Sequence, residues 1–474
     1  LEIITRYWPD ILKERGLLDP SLRRNLLLAA QCEQWRKNPP AKRIVAAGTT
    51  ATFAVMKELV KTVLSLPKGE VILSGLDKYL DDDGWAMVDE THPQFELKEL
   101  LTYLQIPREE VVDMVLPQNE AREKFVSEVM RPAKTTDKWR AIDKNELYRD
   151  AWQGISLVDC ADIREEALTI SLLMREVLET PERTAALVTS DRNLARRVAS
   201  ELERWKIKVD DSAGRPLTLT PTGAFLRLIV KVCAGGFERS DLLCLLKHPF
   251  MAAGCAYADI RRKTRVLEQV VWRSGKEEAD AEAFELFVKE KMRDLYALFL
   301  QPQADFKELI RCHVKTAELL AETPEQSGGQ ILWKGEAGEA AAQFIADLYD
   351  KADVLNLVPS DEYPGLFDVM MSGITVRPKY GTHPRLKILG PIEARLNRFD
   401  VTIIGEVNEE IWPKLASSDP WMSRPMKKDF GFPLPEKAVG VLGLDFCSLA
   451  GASEVYLTRA ERVLSLIHIS EPTR

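Results

Sequence analysis

The fold is decided by residues 383–413, which read HPRLKILGPIEARLNRFDVTIIGEVNEEIWP. Two short apolar runs in this stretch, Leu386–Leu389 and Val401–Ile404, are bounded by glycine and charged residues. Runs of this length and setting are typical of buried strands in a parallel sheet. Polar residues follow each run, and open α/β sheets bind ligands at the carboxyl ends of their strands. The stretch therefore predicts an α/β protein with a candidate site after these two strands.

A second series of strands and helices lies earlier in the chain. Residues 156–158 lead into a helix over 163–179 with apolar residues at helical spacing, and Thr184–Val188 is predicted as the next strand. Residues 206–209 are predicted as a third strand. Asp191, or the serine before it, can cap the helix that follows. Nearer the start, Ile44–Ala47, a helical pattern and a further apolar run form a strand–helix–strand unit, which implies parallel strands. The sequence thus predicts two parallel-sheet domains.

A helix-rich, charged block separates the two halves of the second predicted domain, so we expect a helical insertion within one sheet. The last eleven residues read like a translated sequencing adapter, and the chain opens without methionine inside a helical pattern. We therefore expect an internal piece of a longer protein. The expected segments are an incomplete first domain at 1–150, the first half of the second domain at 151–250, the insertion at 251–375, the second half at 376–463 and the adapter-like tail at 464–474.

Composition and charge limit the function classes. The net charge of −8 over 474 residues argues against a protein that coats nucleic acid through its overall charge, but it allows a local basic channel. The seven cysteines are scattered without CxxC or Cys/His ligand spacing, which fits reduced thiols in a cytoplasmic protein and disfavours a disulfide scaffold or a zinc site. The sequence contains no run of eighteen apolar residues, so it predicts no membrane-spanning helix.

One loop has the position of a phosphate-binding loop. Residues 48–52, GTTAT, follow a predicted strand and precede a predicted helix, so they could hold a phosphate at the helix N-terminus. The loop lacks the Gly-Lys-Ser/Thr ending of a P-loop, and no other segment supplies that motif. The alternative is a plain capped crossover between strand and helix.

Several basic and hydroxyl residues are candidates for contact with DNA. A basic cluster near Trp272 combines charges that can follow a phosphate backbone with a ring that can stack on a base. A second basic–aromatic patch precedes the strand at Leu386, and two threonines at a predicted helix start could donate to phosphate. The alternatives are solvated charged surface and an ordinary helix cap. The candidate residues are Thr220, Thr222, Arg261, Arg262, Lys263, Arg265, Arg377, Lys379, Tyr380 and Arg385.

Three stretches carry a resemblance to a known family. Residues 408–413, NEEIWP, resemble the Asn-Glu-Gly-x-Trp-Pro ending of a degenerate superfamily 1 helicase motif V, as found in the AddB family of bacterial helicase–nuclease subunits. Residues 185–198, AALVTSDRNLARRV, are similar to the start of that family's second motor domain, and residues 454–460, EVYLTRA, to its degenerate motif VI. The matching motif positions are Arg192, Asn408, Glu409, Thr458 and Arg459.

The chain also departs from the family pattern. Glu406 and Glu410 stand where glycines are usual, and both add negative charge to a loop that would face phosphate. Asp445 and its neighbours occupy the place where active motors carry a double arginine. These differences disfavour ATP hydrolysis by this segment.

The resemblance implies two RecA-like, superfamily 1 helicase-like domains, the first incomplete and the second interrupted by a helical insertion. It also implies an inactivated scaffold in a double-strand break repair subunit, which docks an AddA-like motor as a heterodimer. This scaffold would contact the double-stranded DNA end and the single strand, which the family scans for Chi. In the family a C-terminal nuclease domain holds Mg²⁺ and a 4Fe-4S cluster, but this sequence contains neither the nuclease constellation nor the four-cysteine set. We therefore expect no catalytic residue and no cofactor within these residues, although the full-length protein would be a hydrolase.

Two other functions stay open from sequence. The first is an ATP-driven DNA helicase whose P-loop lies upstream of Leu1. The second is a doubly wound metabolic enzyme that binds a nucleotide, for which a GxGxxG after the first strand would be expected and is absent.

Overall fold

The computed structural model describes residues 2–115, 117, 119–143, 150–378, 381–413 and 420–462. The chain divides into two compact units. The sheet unit comprises Leu1–Ser212 and Thr382–Arg474, and the helical unit comprises Ala213–Gly381. The helical unit includes the insertion predicted at 251–375. The predicted domain bounds themselves stay predictions.

Six strands form one parallel sheet, which confirms the predicted α/β class. The sheet order is β3-β12-β11-β4-β10-β5, and every neighbouring pair is parallel. A separate parallel pair, β1-β2, confirms the predicted strand–helix–strand unit, while β6-β9 and β7-β8 are short antiparallel pairs. The strands are β1 (Ile44–Ala47), β2 (Gly69–Ile72), β3 (Ile155–Asp162), β4 (Ala185–Val188), β5 (Asp210–Asp211), β6 (Arg215–Pro216), β7 (Gln303–Asp305), β8 (Leu357–Pro359), β9 (Thr375–Val376), β10 (Leu386–Leu389), β11 (Val401–Ile404) and β12 (Glu454–Arg462).

The central strands are apolar because both of their faces are covered. All four side chains of β4 are buried, and Ala185 is in register with Leu386 on one side and Val401 on the other. The helices of the sheet unit are α1 (Trp8–Glu14), α2 (Pro20–Lys37), α3 (Ala54–Ser65), α4 (Asp82–Ala86), α5 (Phe95–Leu104), α6 (Glu120–Val129), α7 (Ile163–Val177) and α8 (Arg192–Glu203) before the helical unit. After it come α18 (Pro391–Ala394), α19 (Arg424–Asp429) and α20 (Lys437–Ala450).

The first helix after β4 begins where the sequence predicts. The side chain of Asp191 accepts hydrogen bonds from the N–H groups of Asn193 (2.9 Å) and Leu194 (3.0 Å), which satisfies two free donors of the first turn. Leu194, Val198 and other apolar residues of α8 then pack with α7 against the sheet. The amphipathic spacing of α7 and α8 therefore directs one face of each helix into this core.

The helical unit has its own hydrophobic core. Phe225, Phe306, Tyr363 and Phe367 are fully buried at its centre. Its helices are α9 (Pro221–Ala234), α10 (Arg239–Leu246), α11 (Tyr257–Val266), α12 (Ala279–Lys291), α13 (Arg293–Phe299), α14 (Phe306–Ala321), α15 (Gly328–Leu332), α16 (Gly335–Asp350) and α17 (Tyr363–Ser372). None of the helices in the described part of the chain has both the length and the apolar composition needed to span a bilayer.

A fully buried arginine ties the edge of the sheet to α6. The guanidinium of Arg122 donates to the carbonyls of Ala151 (3.1 Å), Gln153, Ala452 and Ser453, which precede β3 and β12. Because one buried guanidinium donates to carbonyls of both segments, Arg122 joins the starts of two neighbouring strands.

Candidate functional site at the carboxyl edge of the sheet

The carboxyl ends of β4, β11 and β12 lie side by side, and the connections that leave β4 and β11 run toward opposite edges of the sheet. After β4 the chain crosses to β5 at one edge, and after β11 it returns to β12 near the other edge. In open α/β sheets such a position leaves a crevice between the connecting segments. The polar residues predicted to follow these strands therefore lie together, and this edge is the candidate site.

A buried group of carboxyl side chains occupies this edge. Glu166 on α7 is fully buried and accepts hydrogen bonds from the Thr458 hydroxyl (2.7 Å) and the Glu406 N–H (2.7 Å). The Glu406 side chain is 3% exposed and hydrogen-bonds to Asp191. One oxygen each of Glu166 and Glu406 has no hydrogen-bond partner within the described part of the chain. We name Glu166, Asp191 and Glu406 the carboxyl cluster.

Burial favours the protonated form of two members of the carboxyl cluster, Glu406 and Glu166. Burial raises the pKa of Glu406 to about 8, with further contributions from the hydrogen bond and charge of Asp191 and the charge of Glu166. Burial also raises the pKa of Glu166, although hydrogen bonds from Thr458 and the Glu406 N–H oppose this. Burial alone would raise the pKa of Asp191, but the hydrogen bond from Glu406 and those from the α8 backbone lower it. Glu406 therefore keeps its proton at neutral pH and donates a hydrogen bond to the Asp191 carboxylate.

The two glutamates that replace usual glycines have left-handed backbone. The φ angle is 58° at Glu406 and 69° at Glu410, in the region that glycine adopts at least cost. Glu406 is buried whereas Glu410 is exposed. The backbone thus has the shape that a glycine would favour, and Glu406 adds a carboxyl group inside it.

The loop with the position of a phosphate-binding loop faces an ion pair. Thr49 and Thr50 lie beside Arg395 and Asp445, and the space between them has no room for a water molecule. The Arg395 guanidinium donates to the Asp445 carboxylate at 2.6 and 3.2 Å, and the Asp445 side chain is 2% exposed. Within the loop, the Thr49 hydroxyl accepts from the Ala51 N–H (3.0 Å).

Close glycine contacts join α20 to the first part of the sheet unit. A Cβ atom at Gly440 would lie 2.8 Å from the carbonyl oxygen of His92, and one at Gly443 would lie 2.9 Å from the ring of Pro93. At the start of the same helix, the Lys437 ammonium lies 2.9 Å from the buried carboxylate of Glu96. Helix α20, which carries Asp445, is therefore packed tightly against residues 92–96.

The predicted motif positions make intramolecular contacts. Arg192 pairs with Asp211 at 2.5 Å, and the Arg459 guanidinium donates to Asp159 on the neighbouring strand. The Asn408 amide donates to the Ala460 carbonyl (2.6 Å) and accepts from the Ala460 N–H (3.2 Å), so it extends the pairing of β11 with β12. Thr458 is buried against the carboxyl cluster, and Glu409 is exposed.

The candidates in the helical unit differ in their exposure. Thr220 and Thr222 are buried, and the Thr220 hydroxyl donates to the Leu217 carbonyl and accepts from the Gly223 N–H as the cap of α9. On α11, three arginines are exposed and make no ion pair among the described residues, while Lys263 lies over the Phe284 ring. The three are Arg261, Arg262 and Arg265. The Trp272 indole donates to Glu285 (3.1 Å) and is half-buried against the core.

The second basic–aromatic patch is divided between the units. Arg377 is exposed in the helical unit. In the sheet unit, Arg385 precedes the amino end of β10 and donates to the carbonyls of Thr180 (2.7 Å), Leu178 and Arg183, which lie between α7 and β4. Lys379 and Tyr380 lie outside the described residues. DNA contact by these residues stays a prediction.

Three features of the sheet unit were missed from sequence. Glu166 and Glu406 are 240 positions apart, so no local signal places them together. Arg395 and Asp445 likewise meet only through the fold, although Asp445 already stood out as a departure from the family pattern. The third is an exposed turn at residues 427–432, where two lysines and two phenylalanines occur within six residues, a pattern that the sequence shows directly.

No residues in the described part of the chain suit a resident metal. No group of three or more histidine, cysteine, aspartate or glutamate side chains there has the arrangement of a metal site. The seven cysteines are free thiols, and burial raises the pKa of Cys233 to about 12. The described residues therefore do not fit the Mg²⁺ and 4Fe-4S groups of the family, and no chemical step is assigned to these groups.

No protein-family model matches the chain. The chain is similar to proteins of Rickettsia species that are named only as uncharacterized. It is 24% identical over 306 residues to one from Rickettsia felis, covering 64% of this chain and 32% of the relative. It is 24% identical over 318 residues to one from Rickettsia conorii, covering 65% and 33%, and 23% identical over 365 residues to one from Rickettsia bellii, covering 73% and 40%. The chain thus spans about a third to two fifths of the length of the curated relatives it matches.

Proposed function

We propose that this chain is the helicase-like scaffold of an AddB-type DNA double-strand break repair subunit. In this proposal the six-stranded sheet and the helical unit form the second helicase-like domain, and β1, β2 and α3 belong to the first. The segment docks an AddA-like motor subunit and contacts DNA without nucleotide chemistry of its own. The whole protein would add the nuclease activity that the resemblance implies.

The Arg395–Asp445 ion pair carries the proposal. A nucleotide triphosphate held by the loop after β1 would need open space and basic groups beside Thr49 and Thr50. That position instead contains a buried guanidinium whose charge is already neutralised by a carboxylate at 2.6 Å. The aspartate stands where active motors carry a double arginine, so the same residue both fills the space and removes positive charge.

Two further observations support a scaffold rather than a motor. The carboxyl cluster places the Asp191 carboxylate, whose pKa is lowered, at the edge where a phosphate would lie, and its negative charge disfavours phosphate binding there. The glycine contacts of α20 leave little freedom between the two α/β parts of the sheet unit. Motor cycles require such parts to open and close around the nucleotide.

DNA contact is supported by the unpaired arginines of α11. Arg261, Arg262 and Arg265 are exposed and have no acidic partner among the described residues, so their charges are available to phosphates. Docking of a protein is supported by apolar side chains of α2 and of the residues just before it that are about half exposed, such as Leu18, Leu22 and Leu26.

The proposal is tested with the purified chain, ATP, DNA and an AddA-like motor subunit. We expect no ATP turnover, no binding of a fluorescent ATP analogue, measurable DNA binding by fluorescence anisotropy, and a stable complex with the motor subunit on size exclusion. The control is Thr49→Ala, which removes a hydroxyl of the loop without affecting the ion pair. If the chain hydrolyses ATP and Thr49→Ala abolishes this activity, the scaffold function is refuted and the ATP-driven helicase is favoured.

A further inference from the structure

A rigid turn after α19 exposes two phenylalanine rings beside two lysines. Phe430 is 63% exposed and Phe432 is 54% exposed, and their ring centroids lie 6.5 Å apart at an interplanar angle of 40°. Lys427 and Lys428 form the last turn of the helix directly before them. We name residues 427–432, which also include the exposed Asp429, the aromatic turn.

Backbone hydrogen bonds hold the aromatic turn in one shape. The Phe432 N–H donates to the Lys427 carbonyl (2.8 Å) and the Gly431 N–H donates to the Lys428 carbonyl (3.0 Å). Gly431 has a φ of 70°, so these bonds form the Schellman ending in which a left-handed glycine closes a helix. The rings therefore stand on a fixed backbone, and a ligand that binds them has little backbone freedom to remove.

The aromatic turn belongs to the connection between β11 and β12. That connection leaves the sheet at the carboxyl end of β11 and returns through α20 to the amino end of β12. The turn precedes α20, so it is placed in the part of the connection that follows the carboxyl edge. Exposed binding groups in α/β proteins concentrate in such connections.

Lysine and phenylalanine together favour nucleic acid over a protein partner. The central parts of protein interfaces are enriched in aromatic residues but depleted in lysine. Unpaired bases stack on aromatic rings while lysine charges follow the phosphates, and stacking tolerates any base sequence. Lys428 makes no ion pair among the described residues, so its charge is available to a phosphate. Arg424, one turn earlier, is already paired with Glu436 at 2.5 Å.

We propose that the aromatic turn binds single-stranded DNA, with the rings of Phe430 and Phe432 stacking on unpaired bases and Lys428 contacting the phosphate backbone. This inference rests on the proposed function in that DNA is the ligand. It goes further by assigning the single strand to this turn, whereas the arginines of α11 would contact phosphates of either form.

The test measures binding of the full chain to a labelled twenty-nucleotide oligo(dT) and to a duplex of equal length by fluorescence anisotropy. We expect F430A/F432A to weaken oligo(dT) binding about tenfold or more, since each stacked base is worth about 1–3 kcal/mol. Duplex binding should change little. K428Q should lower the slope of log affinity against log salt by about 0.7, the value for one phosphate contact on a single strand.

The matched control is F287A/K291Q on α12, where an exposed phenylalanine also lies beside a lysine, at 5.3 Å from the ring centroid. It should leave both affinities unchanged, and circular dichroism should show that every variant is folded. Unchanged oligo(dT) binding by F430A/F432A would overturn the proposal and leave the scaffold function intact. Absence of DNA binding by the unmodified chain would overturn both. Loss of motor-subunit binding with oligo(dT) binding unchanged would identify a protein-docking surface instead.

Discussion

Replacing Glu406 with glycine should stabilise the protein, and the gain should be larger at pH 7 than at pH 5. Glu406 is 3% exposed, and its pKa is raised to about 8 by burial and by the neighbouring carboxyl groups, from an ordinary value of 4.5. Between pH 4.5 and pH 8, Glu406 in the folded protein holds a proton that the same side chain in the unfolded chain has released. The free energy of unfolding therefore falls as pH rises across this window, by about 1.4 kcal/mol per pH unit.

The expected magnitude follows from these values. At pH 7 the proton linkage of Glu406 costs about 3 kcal/mol, and at pH 5 it costs less than about 1 kcal/mol. Glycine also relieves the left-handed backbone at φ 58°, which contributes about 1 kcal/mol at both pH values. The lost hydrogen bond to Asp191 offsets about 1 kcal/mol. We therefore expect a gain of about 3 kcal/mol at pH 7 and about 1 kcal/mol or less at pH 5.

Urea denaturation at the two pH values measures this difference. Glu410→Gly is the matched control, because Glu410 has the same kind of backbone at φ 69° but an exposed side chain. It should give only the backbone gain, equal at both pH values. Glu406→Gln keeps the backbone strain and removes the titration, so it should recover the pH-dependent part alone. An E406G gain that is the same at pH 5 and pH 7 would refute the reasoning about the carboxyl cluster.

Three further predictions concern other parts of the molecule. Asp445→Ala should lower the free energy of unfolding by about 3 kcal/mol in urea, because Arg395 loses its buried partner, and R395M/D445M should recover most of that loss. Arg122→Met should lower the free energy of unfolding by about 3 kcal/mol in thermal unfolding, because the carbonyls before β3 and β12 lose their shared donor. A loss under about 1 kcal/mol would contradict this role of Arg122. The variant R261Q/R262Q/R265Q, which lacks the three exposed arginines of α11, should lower the slope of log affinity against log salt for single-strand binding by about 2. An unchanged slope in fluorescence anisotropy would exclude α11 from the DNA interface.

The strands and their direction could be predicted from sequence because their signals are local. The apolar runs at Leu386–Leu389 and Val401–Ile404 are strands as predicted, and Asp191 caps the helix after β4. The predicted third strand at 206–209 lies instead at Asp210–Asp211, because pairing with β10 determines which residues join the sheet. Local propensity contains no information about that partner.

The composition of the candidate site could not be predicted, because its members come from distant parts of the chain. The family pattern drew attention to Asn408 and Thr458, but it did not indicate that Thr458 donates to Glu166 or that Asn408 pairs with Ala460. Trp272 was predicted as a stacking ring, yet its indole donates to Glu285 and packs inside the helical unit. Burial of an aromatic ring depends on tertiary packing, which a sequence window does not report.

The sheet order has a consequence for synthesis of the chain on the ribosome. The central strand β4 pairs with β10 and β11, whose first residues are made about 200 positions later. At a translation rate of about 5–20 residues per second, both edges of β4 stay unpaired for about 10–40 s before β10 and β11 are made. The helical unit is translated within this interval. An unpaired, apolar strand is prone to aggregate, so nascent chains of this protein should depend on chaperone binding near β4 until translation passes Ile404.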